Sequence, residues 1–125
     1  EINAQRLAAW NQYNTSLSAL AGQGMVTLPY VPENCVHNAH MFYIKVKDEA
    51  ERIRLIDFLK QQGVWAVFHY IPLHSTLAGR KFGRFSGEDR YTTKESLRLL
   101  RLPMYYGLKE EEIDYVIRKI YEFWD

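Results

Sequence analysis

The sequence predicts an α+β domain: a small, mostly antiparallel sheet covered by helices and preceded by a long connector helix. Three observations carry that prediction. Apolar residues recur at helical spacing near the start of the chain. A strand–helix–strand pattern runs from about residue 40 to residue 70. An amphipathic stretch closes the chain. With 125 residues there is one domain's worth of polypeptide, long enough to bury a core without disulfides or a structural metal.

Leu7, Trp10, Leu17 and Leu20 lie three or seven apart along one side of the opening helix, and Tyr13 widens that stripe. Gly22 and Gly24 then stop it. No capping residue precedes Ile2, so this helix is expected to continue a longer protein. Pro29 and Pro32 make residues 25–34 an extended connection. In residues 40–47, Phe42, Ile44 and Val46 alternate with Tyr43, Lys45 and Lys47, as in a half-buried strand. Asp48 is a candidate N-cap with Glu51 three residues on, close to a capping box. The helix it opens should reach Gln62, stop at Gly63, and bury Ile53, Leu55, Ile56 and Leu59.

Residues 64–70 (VWAVFHY) form a near-continuous apolar run, which predicts a strand buried on both faces. A short helix over 76–82 and a mobile polar loop over 83–89 follow. Thr92 or Thr93 can cap a helix through Leu100, and residues 100–104 are extended up to Pro103. Residues 108–124 are the last helix, burying Ile113, Val116, Ile117, Ile120 and Phe123 or Trp124. Glu110, Glu111 and Glu112 suit its positive N-terminal end. A strand–helix–strand unit with a later strand inserted is also the ferredoxin-like pattern.

Sixteen basic and fifteen acidic side chains leave a net charge of +1, which is no electrostatic footprint for nucleic acid or an anionic bilayer. No apolar run approaches a membrane span. The single cysteine, Cys35, excludes an internal disulfide and fits a reducing compartment. Cys35, His37 and His40 match no zinc spacing, so no metal is expected. Arg80 to Phe85 interleaves basic and aromatic residues, faintly like an RNA-recognition motif. It falls on a helix and loop rather than on a strand.

The segment His69-Tyr70-Ile71-Pro72-Leu73-His74 carries the best candidates for chemistry. It leaves the end of a strand, where side chains are presented to ligands. Pro72 stiffens the exit and holds His74, which can donate to a phosphate or hydroxyl. From residue 68 to 108 the chain reads FHYIPLHSTLAGRKFGRFSGEDRYTTKESLRLLRLPMYYGL. That run has a tyrosine–proline–leucine–histidine turn, a helix, a loop and a Leu-Pro step before the terminal helix. In these features the stretch from His37 to Trp124 resembles the C-terminal small domain of the DegT/DnrJ/EryC1/StrS nucleotide-sugar aminotransferases, pyridoxal 5'-phosphate (PLP) enzymes of fold type I.

The resemblance implies residues 1–24 as an inter-domain connector helix and residues 25–125 as the small domain. The large N-terminal domain, with the Schiff-base lysine, would lie outside this chain. The details within residues 83–103 (GRF, GEDRYTTKES and RLLRLP) resemble most the members that move an amino group from L-glutamate to the C4 keto carbon of TDP-4-keto-6-deoxyglucose, in enterobacterial common antigen sugar synthesis. Family members are cytoplasmic homodimers with active sites at the subunit interface. None of the seven lysines here falls on the tyrosine–proline–leucine–histidine turn, so no residue is carried over as catalytic and the chain alone is expected to be inactive. Tyr70 and His74 are the implied lining of the sugar-nucleotide pocket, with His69, Arg84 and Arg90 as further candidates. The alternative reading is a free-standing ferredoxin-like module for a small molecule or RNA.

Overall fold

The computed structural model describes all 125 residues. In order, the elements are α1 (Ile2–Ser16), α2 (Ser18–Gly22), β1 (Phe42–Lys45), α3 (Glu49–Gln61), β2 (Val67–Phe68), a 3-10 turn (Leu73–Ser75), α4 (Leu77–Phe82), α5 (Thr92–Arg98), β3 (Leu99–Leu102) and α6 (Glu110–Glu122). The sheet order is β1-β3-β2, and β3 runs antiparallel to both neighbours. The late strand is thus inserted between the strands of the β1–α3–β2 unit, as the sequence pattern predicts.

One hydrophobic core joins the elements. Leu17, Phe42, Ile44, Leu55, Leu59, Leu100 and Ile120 are fully buried within it. The opening helix belongs to this core. Trp10 meets Phe42 edge-on at 5.4 Å, and Tyr13 stacks on Phe42 at 5.1 Å. Tyr13 is wholly buried, and its hydroxyl donates to the Pro103 carbonyl at 3.1 Å. Tyr121 donates to the Ser16 carbonyl at 2.8 Å and fastens α6 to the end of α1.

Several elements differ from the sequence expectation. The first helix is interrupted at Leu17, whose ψ of 0° turns the chain so that Leu17 and Leu20 both reach the core. It stops where the glycines predict, with Gly24 at φ +76°. The strand over 40–47 shortens to four residues, although Phe42, Ile44 and Val46 keep their buried face. Asp48 caps α3 as expected, accepting from the Glu51 N–H at 2.9 Å, while the Glu51 carboxylate accepts from Lys47 N rather than from the cap itself. Ile53 is half exposed; Arg52 replaces it on the inward face, in line with Leu55 and Leu59.

The largest correction concerns residues 64–70. Only Val67 and Phe68 pair as strand, and burial on both faces does not occur. Val64 and Ala66 are buried, whereas Trp65, Val67 and Phe68 are exposed. β2 is an edge strand with one side of its backbone unpaired; Val67 stands beside Arg101, and Phe68, on the opposite face beside Leu100, lies under Arg52. Thr92 and Thr93 lie inside α5 rather than capping it, because Asp89 accepts from the Thr93 N–H at 3.2 Å. β3 then follows α5 without a loop. The last helix is trimmed at both ends, and the Glu112 carboxylate accepts from Lys109 N at 2.9 Å to close its first turn.

Candidate functional site

The exit from β2 is built by an unusual backbone. Tyr70 adopts φ +55°, a left-handed conformation that costs a bulky residue about 1–3 kcal/mol. The chain reverses there, and Pro72 leads into the 3-10 turn. Thr76 then accepts from the Gly79 N–H at 2.9 Å to start α4. Gly79 is required at that point, since a Cβ would lie 1.8 Å from the Leu73 carbonyl oxygen. The turn holds Tyr70 at the mouth of a cavity of about 220 Å³, with its ring largely exposed.

Arg52, Glu49, Ser75, Thr93 and Ser96 supply the polar walls of this cavity; Phe68, Ile71 and Pro72 supply apolar ones. Arg52 is the one buried charged residue. It donates to the Ser96 carbonyl and to the Glu49 carboxylate, both at 3.3 Å, and packs over the Phe68 ring. Its Nε has no partner. The recess thus holds a buried guanidinium paired with Glu49, an exposed phenol and three hydroxyls, of which those of Thr93 and Ser96 already donate to Asp89 and to the Thr93 carbonyl; this mixed polar lining suits the hydroxyl groups of a sugar. The sequence reading named Tyr70 and missed Arg52, Thr93 and Ser96. The signal for Arg52 was present: it stands three and seven residues before Leu55 and Leu59, on the buried stripe.

His74 does not line this cavity. Its Nε2 lies 2.9 Å from Asp89 Oδ2 and 3.4 Å from Thr93 Oγ1, and its ring packs on Phe85 at 4.5 Å. The Thr93 hydroxyl also donates to Asp89. That hydrogen bond comes first, ahead of the His74 contact, in holding the Asp89 carboxyl below its ordinary pKa. Acid and hydroxyl both face the same ring nitrogen, so the trio is not the relay of a nucleophilic triad, in which they take opposite nitrogens. It is a clasp that pins residues 83–91 against the 3-10 turn.

The other candidates scatter. His69 packs beside Tyr70 at 5.1 Å, and its Nδ1 is buried without a partner. Burial, then the positive charges of Arg101 and His40, hold its imidazole below the ordinary histidine pKa. Arg90 is exposed and paired with Glu88 at 2.8 Å. Arg84 is exposed on the loop. The structure therefore brings Tyr70 to the cavity, sets His74 behind it as a loop anchor, and leaves Arg84 and Arg90 on the surface.

Comparison with known proteins decides the family. A model of the DegT/DnrJ/EryC1/StrS aminotransferase family matches residues 1–121. The chain belongs to this family. A pleiotropic regulatory protein of Geobacillus stearothermophilus is 33% identical over 113 residues, covering 90% of this chain and 29% of that protein. NtdA of Bacillus subtilis, solved with bound cofactor PMP, superposes with a TM-score of 0.79 at 28% identity, over 97% of this chain and 28% of that one. The aminotransferase TlmJ of Streptoalloteichus hindustanus gives a TM-score of 0.82 at 21% identity, over 96% of this chain and 31% of that one, and shows the fold alone. The chain thus spans about a third of the length of the relatives it matches. The α+β fold with its antiparallel sheet is the corresponding fragment of the aminotransferase fold.

Proposed function

We propose that these residues are the C-terminal small domain of a PLP-dependent sugar-nucleotide aminotransferase. Residues 25–125 form the domain body, and residues 1–24 are the connector, docked on α6. The observation that carries the reading is the left-handed Tyr70 beside buried Arg52, at one polar recess. Backbone strain at an exposed aromatic residue marks a site that the fold holds open for a ligand. In the finer reading, the recess receives the sugar or pyrophosphate oxygens of TDP-4-keto-6-deoxyglucose, L-glutamate is the amino donor, and the enzyme is a cytoplasmic homodimer. Tyr70 contacts the sugar nucleotide, and His74 keeps the neighbouring loop in place.

The residues present do not make a cofactor site by themselves. No lysine stands in the wall of the recess. Lys45 and Lys119 are engaged with Glu95 and Glu122, each at 2.7 Å. The proposal therefore places the PLP-anchoring lysine outside these 125 residues. Treating the chain with PLP and borohydride should leave no stoichiometric adduct on any single lysine; a stoichiometric adduct on one of them overturns this division of labour. The substrate reading is tested in the enzyme that carries this domain, with TDP-4-keto-6-deoxyglucose and L-glutamate. Formation of the 4-amino sugar nucleotide is expected, with a raised sugar-nucleotide KM in Tyr70→Ala. An unchanged KM in that variant removes Tyr70 from the site.

A further inference from the structure

We propose that the hollow between the end of α3 and the start of α6 is a separate cation site, in which Trp65, Tyr105, Tyr115 and Glu111 take a small ammonium ligand with a flat apolar body. Gly63, at φ +76°, turns the chain out of α3 and delivers Trp65 just before β2, whereas Tyr70 follows that strand. Tyr105 lies in the turn after β3, where its carbonyl accepts from Leu108 N at 3.3 Å. Tyr115 stands on α6, and its hydroxyl donates to the Gln62 carbonyl at 3.0 Å, which fixes the ring against the end of α3. The three rings, with buried Val64 and Val116, line a hollow of about 530 Å³. Its size and its mostly apolar wall with a few polar groups are those of a small-molecule site. It shares no wall residue with the recess at Tyr70, and the inference does not rest on the aminotransferase reading.

The rings are turned to water rather than to the core. Trp65 is 72% exposed and Tyr105 52%. Large exposed rings grouped around a hollow mark a place where a ligand is received. The charge of the wall then selects the ligand. Its only charged residues are Glu111 and Glu112. The Glu112 carboxylate accepts from Lys109 N at 2.9 Å and closes the first turn of α6. Glu111 makes no salt bridge. The positive end of α6 opens nearby, but the full charges of Glu110, Glu111 and Glu112 outweigh its partial one. The ring faces draw positive charge within the chain itself. Lys60 lies 5.8 Å over Trp65, and Lys119 and Arg118 lie 5.5 and 5.7 Å over Tyr115. None of these three cations lines the hollow. An ammonium group there meets aromatic faces and the Glu111 carboxylate together, and its apolar body covers the rings. An anion would meet two carboxylates instead.

The test is an NMR titration of the 125-residue chain at constant neutral pH and matched ionic strength with benzylammonium chloride, benzyl alcohol, sodium benzoate and sodium chloride. Benzylammonium and benzyl alcohol have nearly the same shape and differ in charge. Saturable shifts at the Trp65 indole, the Tyr105 and Tyr115 rings and the Val116 methyls are expected from benzylammonium. Benzyl alcohol should bind more weakly, and benzoate should not bind. Trp65→Leu should weaken benzylammonium binding about tenfold or more. Glu111→Gln keeps the shape and removes the charge; it should weaken benzylammonium about threefold and leave benzyl alcohol unchanged. Both side chains are exposed, so both variants are expected to fold. Shifts that sodium chloride reproduces, or affinity unchanged in Trp65→Leu, overturn the site. Equal affinity for benzylammonium and benzyl alcohol, binding of benzoate, or benzylammonium affinity unchanged in Glu111→Gln overturns its assignment to a cation.

Discussion

His74 and Asp89 meet at 2.9 Å across fifteen residues of sequence, and the contact closes the one long segment without regular structure between α4 and α5. Asp89 is the keystone, because Thr93 also bonds it through both hydroxyl and amide. Asp89→Asn keeps the shape and removes the charge. It should speed tryptic cleavage after Arg84 and Arg90 severalfold, with little change in global unfolding. The Asp89 carboxyl is held below its ordinary value, chiefly by the Thr93 hydroxyl. Its contribution is therefore fully present above that value and is lost as pH falls through the lowered one. Amide protection in residues 83–93, corrected for the intrinsic exchange rate at each pH, should fall on acidification before that of the core amides, and Asp89→Asn should remove that acid-dependent fall.

Tyr13 gives a second, opposite pH signature. Burial first, and Tyr105 next, raise its phenol far above the ordinary value of 10.0. The neutral hydroxyl is stabilised in the fold, so this contribution holds below the ordinary value and is lost as pH climbs past it. Tyr13→Phe deletes the bond to the Pro103 carbonyl and should cost about 1 kcal/mol in urea unfolding near neutral pH. The same variant should flatten the alkaline loss of stability, since no buried phenol remains to ionise. An equal alkaline loss in wild type and variant would assign that loss to other groups.

Local chemistry made much of the fold legible. The Asp48 cap, the Gly24 stop and the alternation of Phe42, Ile44 and Val46 are all written in neighbouring residues. The insertion of β3 between β1 and β2 follows from the same pattern. What escaped depends on contacts distant in sequence. Trp65, Val67 and Phe68 look like an interior strand by composition, yet β2 ends the sheet and all three side chains are left exposed. Arg52 looks like a surface charge until the Ser96 carbonyl, forty-four residues away, accepts its hydrogen bond. His74 is conspicuous in sequence, but its role is set by Asp89 and Thr93 rather than by the recess.

The start of α3 offers a clean measure of a local signal. Asp48 accepts from Glu51 N at 2.9 Å, and Glu51 returns to Lys47 N at 2.8 Å. Asp48→Ala should lower stability by about 1 kcal/mol, and Asp48→Asn by much less, because asparagine keeps the accepting oxygen. Equal urea midpoints for Asp48→Ala and wild type would show that tertiary packing of Leu55 and Leu59 alone sets the helix start.

A last prediction concerns the surface around α4. Leu73, Leu77, Phe82 and Tyr91 are all at least 74% exposed, and α4 buries no residue. With Tyr70 and Ile71 they make six exposed apolar side chains within residues 70–91, and exposed apolar side chains grouped in this way mark an interaction surface. The 125-residue chain should therefore self-associate as its concentration rises and should bind an apolar dye. Leu77→Glu combined with Phe82→Glu should suppress both effects. The unfolding free energy should shift by less than about 0.5 kcal/mol, because neither side chain is packed in the core. Sedimentation shows the first effect and dye fluorescence the second. A wild-type chain that stays monomeric and dark at high concentration would mean that these side chains fold back on one another, and that α4 is not a docking surface.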